Sequence, residues 1–182
     1  MGTVTTLPRS RPLTRVDLDA MPDDGHRYEL IDGCLVVTPA PSPRHQIVVM
    51  ELSHALRETC PAHLRVLAAP LDVVLADDTV VQPDVLVARR DQFTERDLPV
   101  APTLAVEVLS PSTRRIDVTL KRSRYEAAGT PSYWVVDPDR PSLTAWDLQE
   151  GRYVEVAHVE GDDEFVAARP YAVAVRPSRL LD

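Results

Sequence analysis

Glu107 is the residue whose type and setting first suggest chemistry. It lies in the run Thr103 to Leu109 (TLAVEVL), where Leu104, Val106 and Val108 alternate with Ala105, Glu107 and Leu109. A run apolar on both alternating sets suits a strand covered on both faces. A carboxylate inside it is costly unless a cation, a metal or hydrogen-bond donors compensate it. Asp84 has a similar setting: it follows Pro83 and precedes the apolar Val85, Leu86 and Val87. Lys121 is the only lysine of the chain, all other formal cationic side chains being arginine. Two carboxylates on neighbouring apolar strands suit a hard divalent cation, with water and substrate phosphate completing its octahedron. Such an ion acidifies a bound water and polarises a phosphoryl oxygen. An ammonium beside it orients the nucleophile or stabilises developing negative charge. A plainer reading stands next to this one: Asp84 caps a bend, and Glu107 pairs with Lys121 or an arginine.

The elements that must position these residues are legible around them. After the Glu107 strand, Ser112 or Thr113 is placed to cap a helix that Gly129 and Pro131 stop. Glu107 lies ~10 Å down the strand from its end, and Lys121 lies ~11 Å back along the returning helix, so the two side chains can meet. Ser110, Ser112, Thr113, Arg114 and Arg115 surround the helix start, where free N–H groups and the dipole favour an anion such as phosphate. Arg114, Arg115, Lys121, Arg122 and Arg124 crowd this helix against Asp117 alone; a solvated basic face is the simple reading of such a run. Asp117 is four residues before Lys121, the spacing of a surface pair worth ~0.3–0.5 kcal/mol, with a role in positioning the ammonium as the alternative.

Elsewhere the pattern predicts a loose tail over 1–13, a short helix capped by Thr14, and a hairpin from Tyr28 to Thr38 turning at Asp32-Gly33. Ser42-Pro43 opens a helix to about Thr59, with Val48, Leu52, Ala55 and Leu56 on one face. Strands are expected over 64–75, over 79–88 with a bend at Pro83, over 132–137, in a hairpin through Glu150-Gly151, and over 171–175. Together these elements form a mixed α/β domain over 14–182. The chain of 182 residues with a formal net charge of -8 is the wrong kind to coat nucleic acid non-specifically, though a local cationic groove is compatible with it. The opening MGTVTTLPRSRPLTR lacks the apolar core of a signal peptide, no run reaches the ~20 apolar residues of a membrane span, and Cys34 and Cys60 form no metal-like pair. A cytoplasmic location with reduced thiols is the expectation.

The order Pro83-Asp84, then Glu107-Val108 in an apolar strand, then a helix, resembles the PD-(D/E)XK nuclease superfamily. More narrowly, YELIDG (28–33), PAPSPRHQ (39–46), VVQPDVLV, VEVLSPST and YEAAGTPSYWVVDP (125–138) resemble the Uma-two family of restriction-endonuclease-like proteins, over roughly 14–153. The resemblance implies a restriction-endonuclease-like fold: a central mixed β-sheet flanked by helices, here with additional N- and C-terminal hairpins. It implies Asp84 and Glu107 as ligands of Mg2+ or Mn2+, with the Val108 carbonyl as a third, DNA as substrate, and a homodimer. The superfamily lysine two residues after the glutamate is replaced by Leu109, and Lys121 on the helix is the residue that takes its place. Glu29 and His45 also match the family pattern, as auxiliary groups near the metal or substrate, or as an ordinary hydrogen-bonded strand glutamate and helix-start histidine. Tyr125, Tyr133 and Trp134 read as core residues, with stacking on bases as the lesser alternative for the last two. Two functions follow: a metal-dependent endonuclease, or a nuclease fold retained without catalysis as a binding or regulatory module.

Overall fold

The computed structural model describes residues 11–182. Helix α1 (Arg15–Asp19) precedes strands β1 (Arg27–Ile31) and β2 (Cys34–Thr38), helix α2 (Pro43–Glu58) and strands β3 (Leu64–Ala68), β4 (Val73–Ala76), β5 (Thr79–Val81), β6 (Val85–Arg89) and β7 (Leu104–Val108). A π-helical segment (Ile116–Lys121) runs into α3 (Arg122–Ala127). Strands β8 (Ser132–Asp137), β9 (Ser142–Gln149), β10 (Arg152–Glu160), β11 (Phe165–Ala167) and β12 (Val173–Val175) complete the order.

Strands β10-β9-β8-β7-β6-β3 form the main sheet, β2-β1-β5-β4 a second one, and β11-β12 a small ribbon. The main sheet is mixed: β7 and β8 run parallel, while their other neighbours are antiparallel. A parallel pair needs a crossover, which the segment from Ile116 to Ala127 supplies. The N-terminal hairpin turns where expected, with positive φ at Asp32 (52°) and Gly33 (72°), the pattern of a two-residue turn whose twist matches its strands. A Cβ on Gly33 would stand 2.4 Å from Pro12 Cβ, so this turn also needs glycine for space.

Proline divides two segments that the alternating pattern reads as single strands. The segment 64–75 breaks at the cis Ala69-Pro70 bond into β3 and β4, which lie in different sheets. The segment 79–88 breaks at Pro83 into β5 and β6, again in different sheets. Gln82-Pro83-Asp84 is therefore the crossing between the two sheets, and Asp84 sits at their junction. The tail expected over 1–13 mostly lies outside the described residues; of its end, Leu13 is buried and its N–H donates to the Gly33 carbonyl at 2.9 Å.

The central strands β6, β7 and β8 are buried on both faces, which explains their near-continuous apolar sequence. On one face Val48, Val49, Leu52 and Leu56 of α2 pack on Val66, Val85, Val106 and Trp134. On the other, Ala105, Leu109, Tyr125 and Tyr133 pack with Leu120 and Ile116 from the crossover. Alternation along β7 thus sends Leu104, Val106 and Val108 toward α2 and puts Glu107 on the crossover side. The C-terminal ribbon contains β11, which the sequence pattern did not indicate, and Tyr171 OH ties this region to α2 by donating to the Leu56 carbonyl at 2.6 Å. No helix among the described residues is long and apolar enough to cross a membrane.

Candidate active site

A cleft of about 210 Å³ opens at the junction of the two sheets, and Glu29, His45, Asp84, Glu107, Asp117 and Lys121 all line it. Each of the six is buried. They come from five places in the chain: β1, the first turn of α2, the β5–β6 crossing, β7, and the π-helical segment.

Lys121 is the hub. Its Nζ lies 2.9 Å from Glu29 Oε1, 3.2 Å from Glu107 Oε1 and 3.6 Å from Asp117 Oδ1. The surface pair expected for Asp117 and Lys121 is overturned: both are buried, at 2% and 3% exposure. The reason is local. The crossover runs through a π-helical segment, a wide turn frequent at functional sites, and it carries both residues into the cleft. The start of this crossover also differs from expectation. Ser110, not Ser112 or Thr113, caps it, its hydroxyl accepting the Thr113 N–H at 3.3 Å and meeting the Ser112 and Thr113 hydroxyls at 3.0 and 2.9 Å. These three hydroxyl residues line the cleft. Arg114 and Arg115 do not: Arg114 pairs with Asp137 at 2.5 Å, and Arg115 is exposed.

Asp84 is held from three sides. Its Oδ2 accepts the Val108 N–H at 2.9 Å and faces His45 Nε2 at 3.2 Å. Its Oδ1 accepts from Arg27 Nη1 at 3.3 Å. His45 is placed by the helix cap, where Ser42 Oγ accepts its N–H at 3.2 Å. Arg27 and Gln82 are the two participants that sequence reasoning missed. Gln82 donates its N–H to Glu29 Oε1 at 2.7 Å, and its carbonyl accepts from Arg27 Nη2. The signal was present for Arg27: it is two residues from Glu29 on β1, so strand alternation puts both on one face.

The electrostatics are those of a site short of positive charge. Glu29, Asp84, Glu107 and Asp117 are buried carboxyls, and the permanent cations among them are Lys121 and the half-buried Arg27. Burial pushes Glu107 well up; the Lys121 ammonium opposes this, but the charges of Asp117, Asp84 and Glu29 add to the rise. Burial likewise raises Asp117. Asp84 behaves oppositely: burial works to raise it, but the His45 hydrogen bond and the charges of His45, Arg27 and Lys121 outweigh that and hold it low. Burial alone would lower Lys121, yet the surrounding Glu107, Glu29 and Asp117 lift it, so it remains an ammonium. Glu29 Oε2 is buried without a hydrogen-bond partner, and Asp117 Oδ1 has only the long 3.6 Å contact with the Lys121 ammonium, the condition of acceptors that a further cation would satisfy.

Among the described residues no three His, Cys, Asp or Glu side chains form a closed metal cage. That is the arrangement expected of a zinc or calcium site. Magnesium and manganese make a smaller demand, one or two carboxylates with water and phosphate supplying the rest, and Asp84 and Glu107 are two buried carboxyls lining one cleft. Tyr125, Tyr133 and Trp134 are fully buried, with Tyr133 OH donating to the Asp117 carbonyl at 2.8 Å. Their ring faces are spent on packing, which removes base stacking from the alternatives.

The mixed sheet, with Asp84 at the proline-broken crossing, Glu107 on β7 and the crossover helix above it, agrees with the restriction-endonuclease-like fold that the sequence resemblance implies. A solved structure supports this: a chain described as a putative nuclease belonging to DUF820, from Anabaena variabilis, superposes with a TM-score of 0.76 at 19% identity, over 93% of this chain and 98% of that one. The family model Uma2, described as "Putative restriction endonuclease", matches residues 15–174. The chain belongs to that family. No curated protein matches it significantly.

Proposed function

We propose that the protein is a divalent-metal-dependent endonuclease that hydrolyses DNA phosphodiester bonds. The observation that carries this reading is the surplus of buried carboxyls around Lys121, with Glu107 pushed upward by burial and further by the charges of Asp117, Asp84 and Glu29 against the opposing Lys121 ammonium. Folding alone gains little from such a cluster, since buried ion pairs rarely outperform apolar packing. Asp84 and Glu107 hold Mg2+ or Mn2+, with the Val108 carbonyl beside them. When bound there, the ion would supply Lewis-acid polarisation of a phosphoryl oxygen and a more acidic water. Lys121 would orient an attacking water by hydrogen bonding and face the negative charge that develops on the phosphoryl oxygens. Glu29 and Asp117 hold the Lys121 ammonium in place, and His45 fixes the Asp84 carboxylate in one orientation. Ser110, Ser112 and Thr113 offer hydroxyls to a phosphate at the cleft wall. Arg114 can join them only by leaving Asp137, and exposed Arg115 meets the flanking backbone.

Lys121 thus substitutes for the lysine missing at Leu109. Leu109 lies on the same side of β7 as Glu107, packed in the core, and the crossover delivers an ammonium to that side from above.

The test is nicking of supercoiled and linear DNA in Mg2+ and in Mn2+, with chelator controls. The reading predicts metal-dependent cleavage that Asp84→Asn and Lys121→Met each abolish. DNA binding without cleavage under every metal condition would instead identify a non-catalytic binding module on the same fold.

A further inference from the structure

Arg27 is placed as no simple scaffold arginine would be. Its Nη1 reaches Asp84 Oδ1 at 3.3 Å, the oxygen left over once Val108 N–H and His45 have taken Oδ2. Its Nη2 is anchored on the Gln82 carbonyl. Its Nε, however, is buried with no acceptor. A structural guanidinium normally has its buried donors satisfied, so this one rests in an incomplete set of bonds. Its side chain retains 24% exposure, which leaves it a way out along the cleft. An acceptor stands ready there. Thr38 faces Arg27 across the β1–β2 pair, lines the same cleft, and has a buried hydroxyl without a partner.

We infer that Arg27 is the resident counter-cation of Asp84, a positioning residue that holds the carboxylate in its ligand orientation and is displaced by the incoming divalent ion. This rests on the metal-dependent reading above. The argument is one of charge. A guanidinium cannot give up its proton at any workable pH, so its charge leaves Asp84 only by movement. A divalent ion reaching Oδ1 would meet that positive group at contact distance, and repulsion at such a range is large even when screened. The pivot on Gln82 and the spare hydroxyl of Thr38 let the guanidinium swing away without leaving the cleft. It then remains near the mouth, where an anionic substrate arrives. The consequence is that Arg27 weakens metal binding in the free protein while keeping Asp84 ordered.

The test is titration calorimetry with Mn2+ on chelator-stripped protein, comparing the unmodified chain, Arg27→Gln and Arg27→Lys. Removing the competing charge in Arg27→Gln is expected to tighten Mn2+ binding by about tenfold, while Arg27→Lys, which keeps the charge, stays near the unmodified value. A folded Arg27→Gln protein that binds Mn2+ no more tightly than the unmodified chain overturns the inference and leaves the metal site standing. Absence of Mn2+ binding in both removes the metal reading and Arg27's role together. Should Arg27→Gln fail to fold, the Nε–Hε NMR resonance of Arg27 in the unmodified chain gives the answer. It is expected to shift on saturation with Mg2+, and an unmoved resonance at saturation refutes displacement.

Discussion

Removing the Lys121 ammonium should be the most damaging single change that leaves the apolar core intact. In Lys121→Met the side chain keeps its length and loses its charge. Three contacts vanish, at 2.9, 3.2 and 3.6 Å. At an effective dielectric of about 20, each corresponds to roughly 5 kcal/mol of attraction. Drying the ions takes back several kcal/mol apiece, and mutational experience with broken buried pairs puts the net loss at about 3–5 kcal/mol. Against a typical total of about 5–15 kcal/mol, that is a large fraction. The loss should also depend on pH. It should be smaller at pH 5 than at pH 7, because Glu107, already raised by burial, takes up its proton more readily at the lower pH and relieves part of the crowding left when the ammonium is gone. Urea unfolding in chelator at the two pH values measures this, with the unmodified chain as reference. A loss below about 1 kcal/mol that is equal at both pH values would mean that Lys121 is effectively in solvent, and the reasoning about the cleft would be wrong.

Other expectations follow from the same geometry. Because Glu107 in the folded protein lies well above its ordinary value of 4.5, the folded state holds its proton more tightly than the unfolded chain. Metal-free stability should therefore fall as pH rises from about 4.5 through the folded-state value and then level off; thermal melts in chelator that rise steadily across this range would contradict it. Glu107→Gln should shrink that fall to the part due to Asp117, which burial also raises, seen in the same melts, while also abolishing Mn2+ binding by calorimetry. Asp84→Asn keeps an acceptor for the Val108 N–H but loses its charge, and should reduce metal-dependent cleavage by at least about 100-fold with little change in the circular dichroism spectrum. Far from the cleft, Tyr171→Phe strands the buried Leu56 carbonyl and should cost about 1–3 kcal/mol in urea unfolding without altering Mn2+ affinity.

Much of this architecture was legible because local signals carried it. The Asp32-Gly33 dipeptide set the first hairpin, Ser42-Pro43 set the start of α2, and the unbroken apolar alternation of TLAVEVL marked β7 as a doubly covered strand. The rise per residue in a strand and a helix was enough to bring Glu107 and Lys121 together before any coordinates. What stayed hidden depended on tertiary choice. Alternation says which face a residue takes but not which sheet its strand joins, so the division of 64–75 and 79–88 between two sheets was not visible. Asp117 lies elsewhere than its spacing suggests because a gap of four reads as a pair on a regular surface helix, and a π-helical turn has no distinct composition. Arg114 looked free at the helix start, but Asp137, at the end of β8, is brought to it only by the parallel β7–β8 register. Arg27 escaped notice because an arginine near a strand start is ordinary until its partner, the carboxylate after Pro83, is known to lie beside it.

The central claim is that Asp84 and Glu107 jointly hold a divalent cation next to the Lys121 ammonium. A crystal soaked in Mn2+ and measured for anomalous scattering tests it directly. The account predicts one strong peak within ligand distance of a carboxylate oxygen of each acid, with the Lys121 Nζ facing it across the cleft. A saturated crystal with no peak between those two acids would contradict it.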